Sequence, residues 1–242
     1  MRKINIKNVC NEVYKEAVSI LDNGGLVIVP TRTNYNLICD PTNKVAIEKV
    51  MKVKQRKKFG PLTLAIDSIK DINQYVESNE TINFNFDILK KLWPGELTII
   101  FNKKYPFPDI LTMGANTLAV ANQGASVLNT LIKKYGKPVG CTSANISGQG
   151  DIFVDLDKAK NDLGDKVDLL IAVQSCSPRF ISLDGNKSNT IIDLTFEKPY
   201  LVRRGMYSVE KIKKLIPSLN ENIDEYKVLL SRELKERNII HE

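Results

Sequence analysis

From Leu26 to Val29 four apolar residues stand in a row, bounded by Gly24-Gly25 on one side and Pro30 on the other. A run that short, closed by turn residues, predicts a strand buried on both faces. Upstream, Val9, Val13, Ala17 and Leu21 recur at helical spacing, so residues 8–21 read as an amphipathic helix that Asn23-Gly24-Gly25 ends. The same pattern continues along the chain. After a polar bend at 31–34, residues 35–39 form a second predicted strand closed by Asp40-Pro41. Asn43 then caps a helix to about Lys54 along Val45, Ile47, Val50, Met51 and Val53. Further strands are expected at 62–66, 97–101, 117–121, 138–141 and 167–173, with a closing pair at 189–194 and 200–203. Helices are expected at 68–76, 84–92, 126–135 and 156–163, and one capped by Ser208 runs along Val209, Ile212 and Leu215. Trp93-Pro94-Gly95 reads as a structural turn with a buried indole. Strands alternate with helices but include hairpin-like neighbours, which predicts an α/β (α+β) architecture on a mixed sheet. Residues 1–216 read as one domain, and the charged stretch 217–242 as a helical tail.

Composition narrows the function classes. With 242 residues and 43% hydrophobic content the chain can bury one sizeable core. No apolar run approaches the roughly 20 residues that span a bilayer, and charges interrupt the N-terminus, so neither a membrane anchor nor a signal peptide is expected. Cys10, Cys39, Cys141 and Cys176 stand far apart without a CxxC pair, which points to reduced thiols in a cytoplasmic protein and to no metal site. The only histidine is His241, so chemistry that needs a histidine base or a histidine metal cage is excluded. A net charge of +7 suits a polyanionic partner, either nucleotide phosphates or RNA, although a lysine-rich surface alone gives the same figure.

Four segments gather polar groups just after a predicted strand or at a helix end, where an α/β protein opens its cleft. The first is Pro30-Thr31-Arg32-Thr33-Asn34-Tyr35. The second, Lys54-Gln55-Arg56-Lys57-Lys58, carries more cations than helix capping requires, and an arginine fork can grip two phosphate oxygens. The third, Thr142-Ser143-Ala144-Asn145 followed by Ile146-Ser147-Gly148, offers hydroxyls, an amide and backbone N–H groups for a phosphate or ribose, or equally for its own turn. In the fourth, Arg203-Arg204-Gly205, glycine permits a close backbone approach.

In order and spacing these segments resemble the YrdC/TsaC family, the L-threonylcarbamoyladenylate synthases, from about residue 8 to about residue 216. Cys39-Asp40-Pro41, Pro61-Leu62, Trp93-Pro94-Gly95-Glu96-Leu97-Thr98 and Thr190-Ile191-Ile192-Asp193 extend the match. The resemblance implies a twisted mixed sheet surrounded by helices, around a deep basic cavity. It also implies a reaction that joins L-threonine, bicarbonate and ATP into threonylcarbamoyl-AMP with release of pyrophosphate, for threonylcarbamoyladenosine formation on tRNA. By position, Lys54 and Arg56 match the catalytic, phosphate-binding pair. Thr142, Ser143, Asn145, Asn189 and Arg203 match nucleotide contacts, and Thr31, Arg32, Thr33 and Tyr35 the end that takes threonine and bicarbonate. Implied partners are Mg²⁺ carried by the phosphates, tRNA or double-stranded RNA, and the machinery that transfers the threonylcarbamoyl group onward.

Several positions depart from the family pattern. Arg32 stands where an acidic residue is usual, Asn36 where glycine is usual, and Ala121-Asn122-Gln123 where Arg-Val-Pro is usual. Phe59-Gly60 replaces a lysine, and Asn189 a serine. These changes leave room for a paralogue that adenylates another carbamoyl or carboxy-amine compound, and for a non-catalytic RNA- or nucleotide-binding module.

Overall fold

In the computed structural model, which describes residues 4–77, 86–150, 152–173 and 188–240, the apolar runs assemble into one 10-stranded sheet. Its strands are β1 (Ile6–Asn8), β2 (Val27–Pro30), β3 (Tyr35–Cys39), β4 (Thr63–Ala65), β5 (Leu97–Asn102), β6 (Thr117–Ala121), β7 (Val139–Ser143), β8 (Leu169–Ala172), β9 (Thr190–Asp193) and β10 (Tyr200–Arg203). Their spatial order is β1-β8-β2-β3-β7-β4-β6-β5-β9-β10. Parallel pairs such as β4 with β6 and β5 with β9 alternate with antiparallel pairs such as β2 with β3, so the sheet is mixed, as the sequence predicts. Predicted positions 84, 176 and 241 lie outside the described residues.

Side-chain alternation along the strands divides the interior in two. On one face, Leu37 and Cys39 of β3 meet Leu64, Ile99, Val120 and Ile192 and the apolar side of α2 (Lys44–Val53). On the other, Ile38, Val27, Val29 and Val139 pack beneath α1 (Asn11–Asp22) and α6 (Val127–Tyr135), whose Ala17, Leu21, Leu131 and Ile132 are buried. Beyond Leu128 and Ile132 the helical cover of this second face stops, and a cavity opens over β3, β7, β4, β6, β5 and β9.

The N-terminal expectation needs correction. Residues 6–8 pair in parallel with Leu170–Ala172, so the helix starts at Asn11, and Val9, counted into its stripe, is 37% exposed. Strand pairing across the chain overrides a local period that Val9 happened to extend. Likewise only Ile72–Tyr75 of the predicted 68–76 helix is helical. At the other end, α8 (Val209–Leu215) begins at Ser208, whose hydroxyl accepts from Lys211 N. The charged stretch beyond it forms α9 (Ile223–Glu236), which lies on β10. Its Tyr226 is buried among Phe196 and Tyr200 and donates to Asp193 Oδ2 at 3.0 Å, on the strand behind the cavity.

Candidate functional site

The end of α2 shapes the charged wall. Gln55 adopts a left-handed φ of 52°, its N–H bonds Lys52 O at 3.0 Å, and Arg56 N–H bonds Met51 O at 3.0 Å. This Schellman closure satisfies the last carbonyls and turns Lys54 and Arg56 together toward the segment after β7. Arg56 Nη2 donates to Thr142 Oγ1 at 2.9 Å, its Nε to Ser147 Oγ at 3.2 Å, and its Nη1 to Gly60 O. Lys54 Nζ donates to Ser143 O and, at 2.6 Å, to Asn145 O, while Ser147 N–H returns a bond to Lys54 O at 2.9 Å. Asp162 holds the same segment from behind, accepting from Ile146 N–H at 3.0 Å.

Sequence reasoning directs Lys54 at phosphate, but its ammonium is engaged by two main-chain carbonyls, and the side chain is 1% exposed. Burial, and secondarily the neighbouring Arg56 charge, lowers its pKa to about 7. Burial also lowers that of Arg56, to about 10, which leaves the guanidinium charged at neutral pH.

Arg56 faces a cavity of about 270 Å³. Ser143, Asn145 and Gly150 line this cavity together with Arg56, and the same four residues line an adjoining one of about 380 Å³ that Lys54, Lys57 and Lys58 flank. Small-molecule sites occupy roughly 300–1,000 Å³, and the two cavities reach that range as neighbours. Asn145 sits where they meet. Its Nδ2 donates to Ile146 O at 3.0 Å, but its buried Oδ1 has no partner among the described residues. A buried acceptor left open costs roughly 1–3 kcal/mol unless something donates to it, so this oxygen marks a place for a donor from a ligand.

Arg203 lines the 270 Å³ cavity together with Arg56. Its Nε and Nη2 donate to Asn189 O at 3.1 and 3.0 Å. The close approach that Gly205 permits is to the start of β9: a Cβ there would lie 2.4 Å from backbone atoms of Ser188, Asn189 and Thr190. Among the described residues, Arg56 and Arg203 are the charged side chains of this cavity, and no carboxylate lines it.

The first polar segment divides. Thr31 Oγ1 donates to Asn34 O at 2.7 Å and accepts from the Thr33 and Asn34 amides, so Thr31 builds the turn. Thr33 and Asn34 line the cavity. Tyr35 does not join them, because alternation along β3 puts it on the opposite face. There its hydroxyl accepts from Val173 N–H at 3.5 Å beside a void of about 30 Å³. Arg32, expected at the amino-acid end, reaches outward to Glu96 Oε1 at 2.6 Å. The site also includes residues that sequence reasoning passed over. Asn36, the next residue of β3, faces inward, as does Thr98, the polar member of the apolar run Leu97-Thr98-Ile99. Gln123, at a position noted above only as a departure from the family pattern, is buried and lines the cavity too. That lone threonine was a usable signal, whereas nothing local marked Gln123.

A family model named for Sua5, YciO and YrdC, and described as telomere recombination, matches residues 19–205. The chain belongs to this family. The threonylcarbamoyl-AMP synthase of Klebsiella pneumoniae is 29% identical to it over 142 residues, which is 59% of this chain and 75% of the relative. That of Pyrococcus abyssi is 29% identical over 205 residues, 83% of this chain but 56% of the relative, so the chain spans little more than half of that protein. Among solved structures, Pyrococcus abyssi Sua5 complexed with L-threonine superimposes with a TM-score of 0.76 at 25% identity, covering 89% of this chain and 61% of that one. Escherichia coli YciO has a TM-score of 0.70 at 24% identity, covers 87% and 99%, and shares the fold. The Sua5/YciO/YrdC assignment therefore agrees with the motif order in the sequence.

Proposed function

We propose that this chain makes threonylcarbamoyl-AMP from L-threonine, bicarbonate and ATP, releasing pyrophosphate, in support of threonylcarbamoyladenosine formation on tRNA. The observation that carries the reading is the pairing of Arg56 and Arg203 across one cavity, with the open Asn145 acceptor at its junction with a second. In this reading threonine and bicarbonate condense with loss of water to N-carboxythreonine. A carboxylate oxygen of that carbamate attacks the α-phosphorus, an O–P bond forms, and the bond to pyrophosphate breaks. No protein nucleophile is required, so the chain's work is alignment and compensation of negative charge. Arg56 meets the phosphates, Lys54 holds Ser143 and Asn145 in place behind them, and Arg203 holds the nucleotide from the far side. Thr142, Ser143 and Asn145 supply hydroxyl and amide contacts, and Thr33 lies at the amino-acid end. The hydroxyls of Thr142 and Ser143 and the carboxamide of Asn145 suit a Mg²⁺ ion carried in on the phosphates, where it would screen their charge.

Incubation with ATP, bicarbonate and threonine is expected to release pyrophosphate only when threonine is present. Release that another amine supports and threonine does not, or no release at all, overturns the proposal. A transient contact with tRNA and hand-over to a transferase follow from the product's role. Among the described residues no helix is long and apolar enough to cross a membrane.

A further inference from the structure

Three positions that depart from the family pattern, Arg32, Gln123 and Asn189, come from separate loops and meet in one hydrogen-bonded chain. Arg32 N–H donates to Gln123 Oε1 at 3.4 Å. Gln123 Nε2 donates to Asn189 Oδ1 at 3.0 Å and to Thr33 Oγ1 at 3.4 Å. Asn189 continues the chain both ways: its Nδ2 donates to Thr98 Oγ1 at 3.1 Å, and its main-chain oxygen receives the Arg203 guanidinium. Gln123 is 8% exposed, and both ends of its carboxamide are bonded. An apolar side chain at 123 would leave Arg32 N–H without this acceptor and weaken the hold on Asn189, while the cavity would keep its shape.

We propose that Gln123 is a positioning residue that fixes the distance between Thr33 and Arg203. The synthase reading, on which this role rests, places those two residues at the amino-acid and nucleotide ends of the cavity. The link consists of neutral amides and hydroxyls, so its effect is independent of pH across the neutral range and insensitive to salt. Unlike the anchors of Lys54, it belongs to this chain's own departures from the family pattern, and it turns the apparent loss at 121–123 into a brace.

The variant to make is Gln123→Met, which keeps the length of the side chain and removes its amide. With two or three modest hydrogen bonds removed, KM for threonine and Kd for ATP are each expected to rise about 5- to 10-fold, with kcat at saturation within about 2-fold of wild type. The rise should be the same at pH 6.5 and 8.5, and Asn189→Ala in the same background should add nothing further. Unchanged KM and Kd, or full additivity of the two substitutions, overturns the role. Hydrogen exchange at Arg203 Nε–H, followed by NMR in the unliganded protein, needs no substrate. Faster exchange in Gln123→Met supports the brace even if the wild type is silent with threonine, a silence that removes the synthase reading alone, and unchanged exchange overturns the brace. Should Gln123→Met fail to fold, Asn189→Ala opens the same link from its partly exposed side, and exchange at Arg203 Nε–H is then the readout, faster if the brace is real and unchanged if it is not.

Discussion

The two walls of the cavity are held by different physics. On the α2 side, charged groups are fixed by main-chain carbonyls and hydroxyls of the 142–147 segment and of Gly60: Lys54 on residues 143 and 145, Arg56 on Thr142, Ser147 and Gly60. On the β9 side, neutral amides and hydroxyls from four separate stretches hold one another, and Arg203 rests its guanidinium on a carbonyl. The first wall concentrates charge that is costly to bury and commits it to fixed partners. The second sets distances at little electrostatic cost. Phosphate binding and rate should therefore fail at the first wall, and substrate placement should drift at the second.

The largest expected effect tests the charged wall. Arg56→Ala removes a half-buried guanidinium that faces the cavity and three bonds that shape it. With charge-assisted bonds worth roughly 1.5–3 kcal/mol each, ATP affinity should fall about 100-fold or more, measured by calorimetry. A fall below about 3-fold would show that phosphate charge is met elsewhere, and the contrast between the walls would collapse.

Lys54→Met comes next and reads out chiefly as stability. The carbonyls of Ser143 and Asn145 lose their donor, which costs roughly 2–4 kcal/mol near pH 8 by denaturant titration. The pH dependence carries a sign. Lys54 has a pKa of about 7 when folded against an ordinary 10.5, so between these values the unfolded chain holds the extra proton. Wild-type stability therefore rises with pH across that window, by up to about 1.4 kcal/mol per unit, relative to Lys54→Met. Below pH 7 that relative advantage is lost. Parallel stability curves for the two proteins would mean that the folded state does not depress the Lys54 pKa.

Legibility in the sequence follows the same division. Lys54, Arg56 and the 142–147 segment are local patterns: two cations two residues apart at a helix end, and a compact polar run after a strand. The strands themselves were legible as apolar runs, apart from β1, whose exposed Ile6-Lys7-Asn8 has no period of its own and exists through pairing with β8. Gln123, Asn189, Thr98 and Thr33 meet across 66 to 156 residues of chain, so no window of sequence holds their relation. Arg32 was read as a reversed charge inside the site because its partner, Glu96, is likewise distant in sequence. α9 was legible as a helix, but Tyr226 reaching Asp193 was not.

That last contact separates support from function behind the neutral wall. Asp193 is buried at the end of β9, burial raises its carboxyl above the usual range, and Tyr226 and Thr195 donate to it. Tyr226→Phe should lower stability by roughly 1–2 kcal/mol, read by thermal or denaturant unfolding. KM for threonine should stay within about 2-fold, because Asp193 stands past Ile191 at the end of β9, and neither it nor Tyr226 lines the cavity. A large KM change without a stability change would mean that α9 tunes the site directly.

The smallest effect belongs to Arg32. Its guanidinium pairs with Glu96 at 2.6 Å, but its side chain is 47% exposed, and pairs of that kind contribute about 0–1 kcal/mol. What the site uses of residue 32 is its main-chain N–H, bonded to Gln123, and every side chain except proline preserves that. Arg32→Ala is therefore expected to change KM for threonine by less than about 3-fold and stability by less than about 1 kcal/mol. Arg32→Glu, which restores the acidic residue usual in the family, puts two carboxylates opposite each other and should lower stability somewhat more than alanine does. Measured together, the two variants give a sharp reading. If Arg32→Ala disables threonine use while Arg32→Glu restores it, the charge at 32 acts on the substrate, and the neutral wall is not neutral in function.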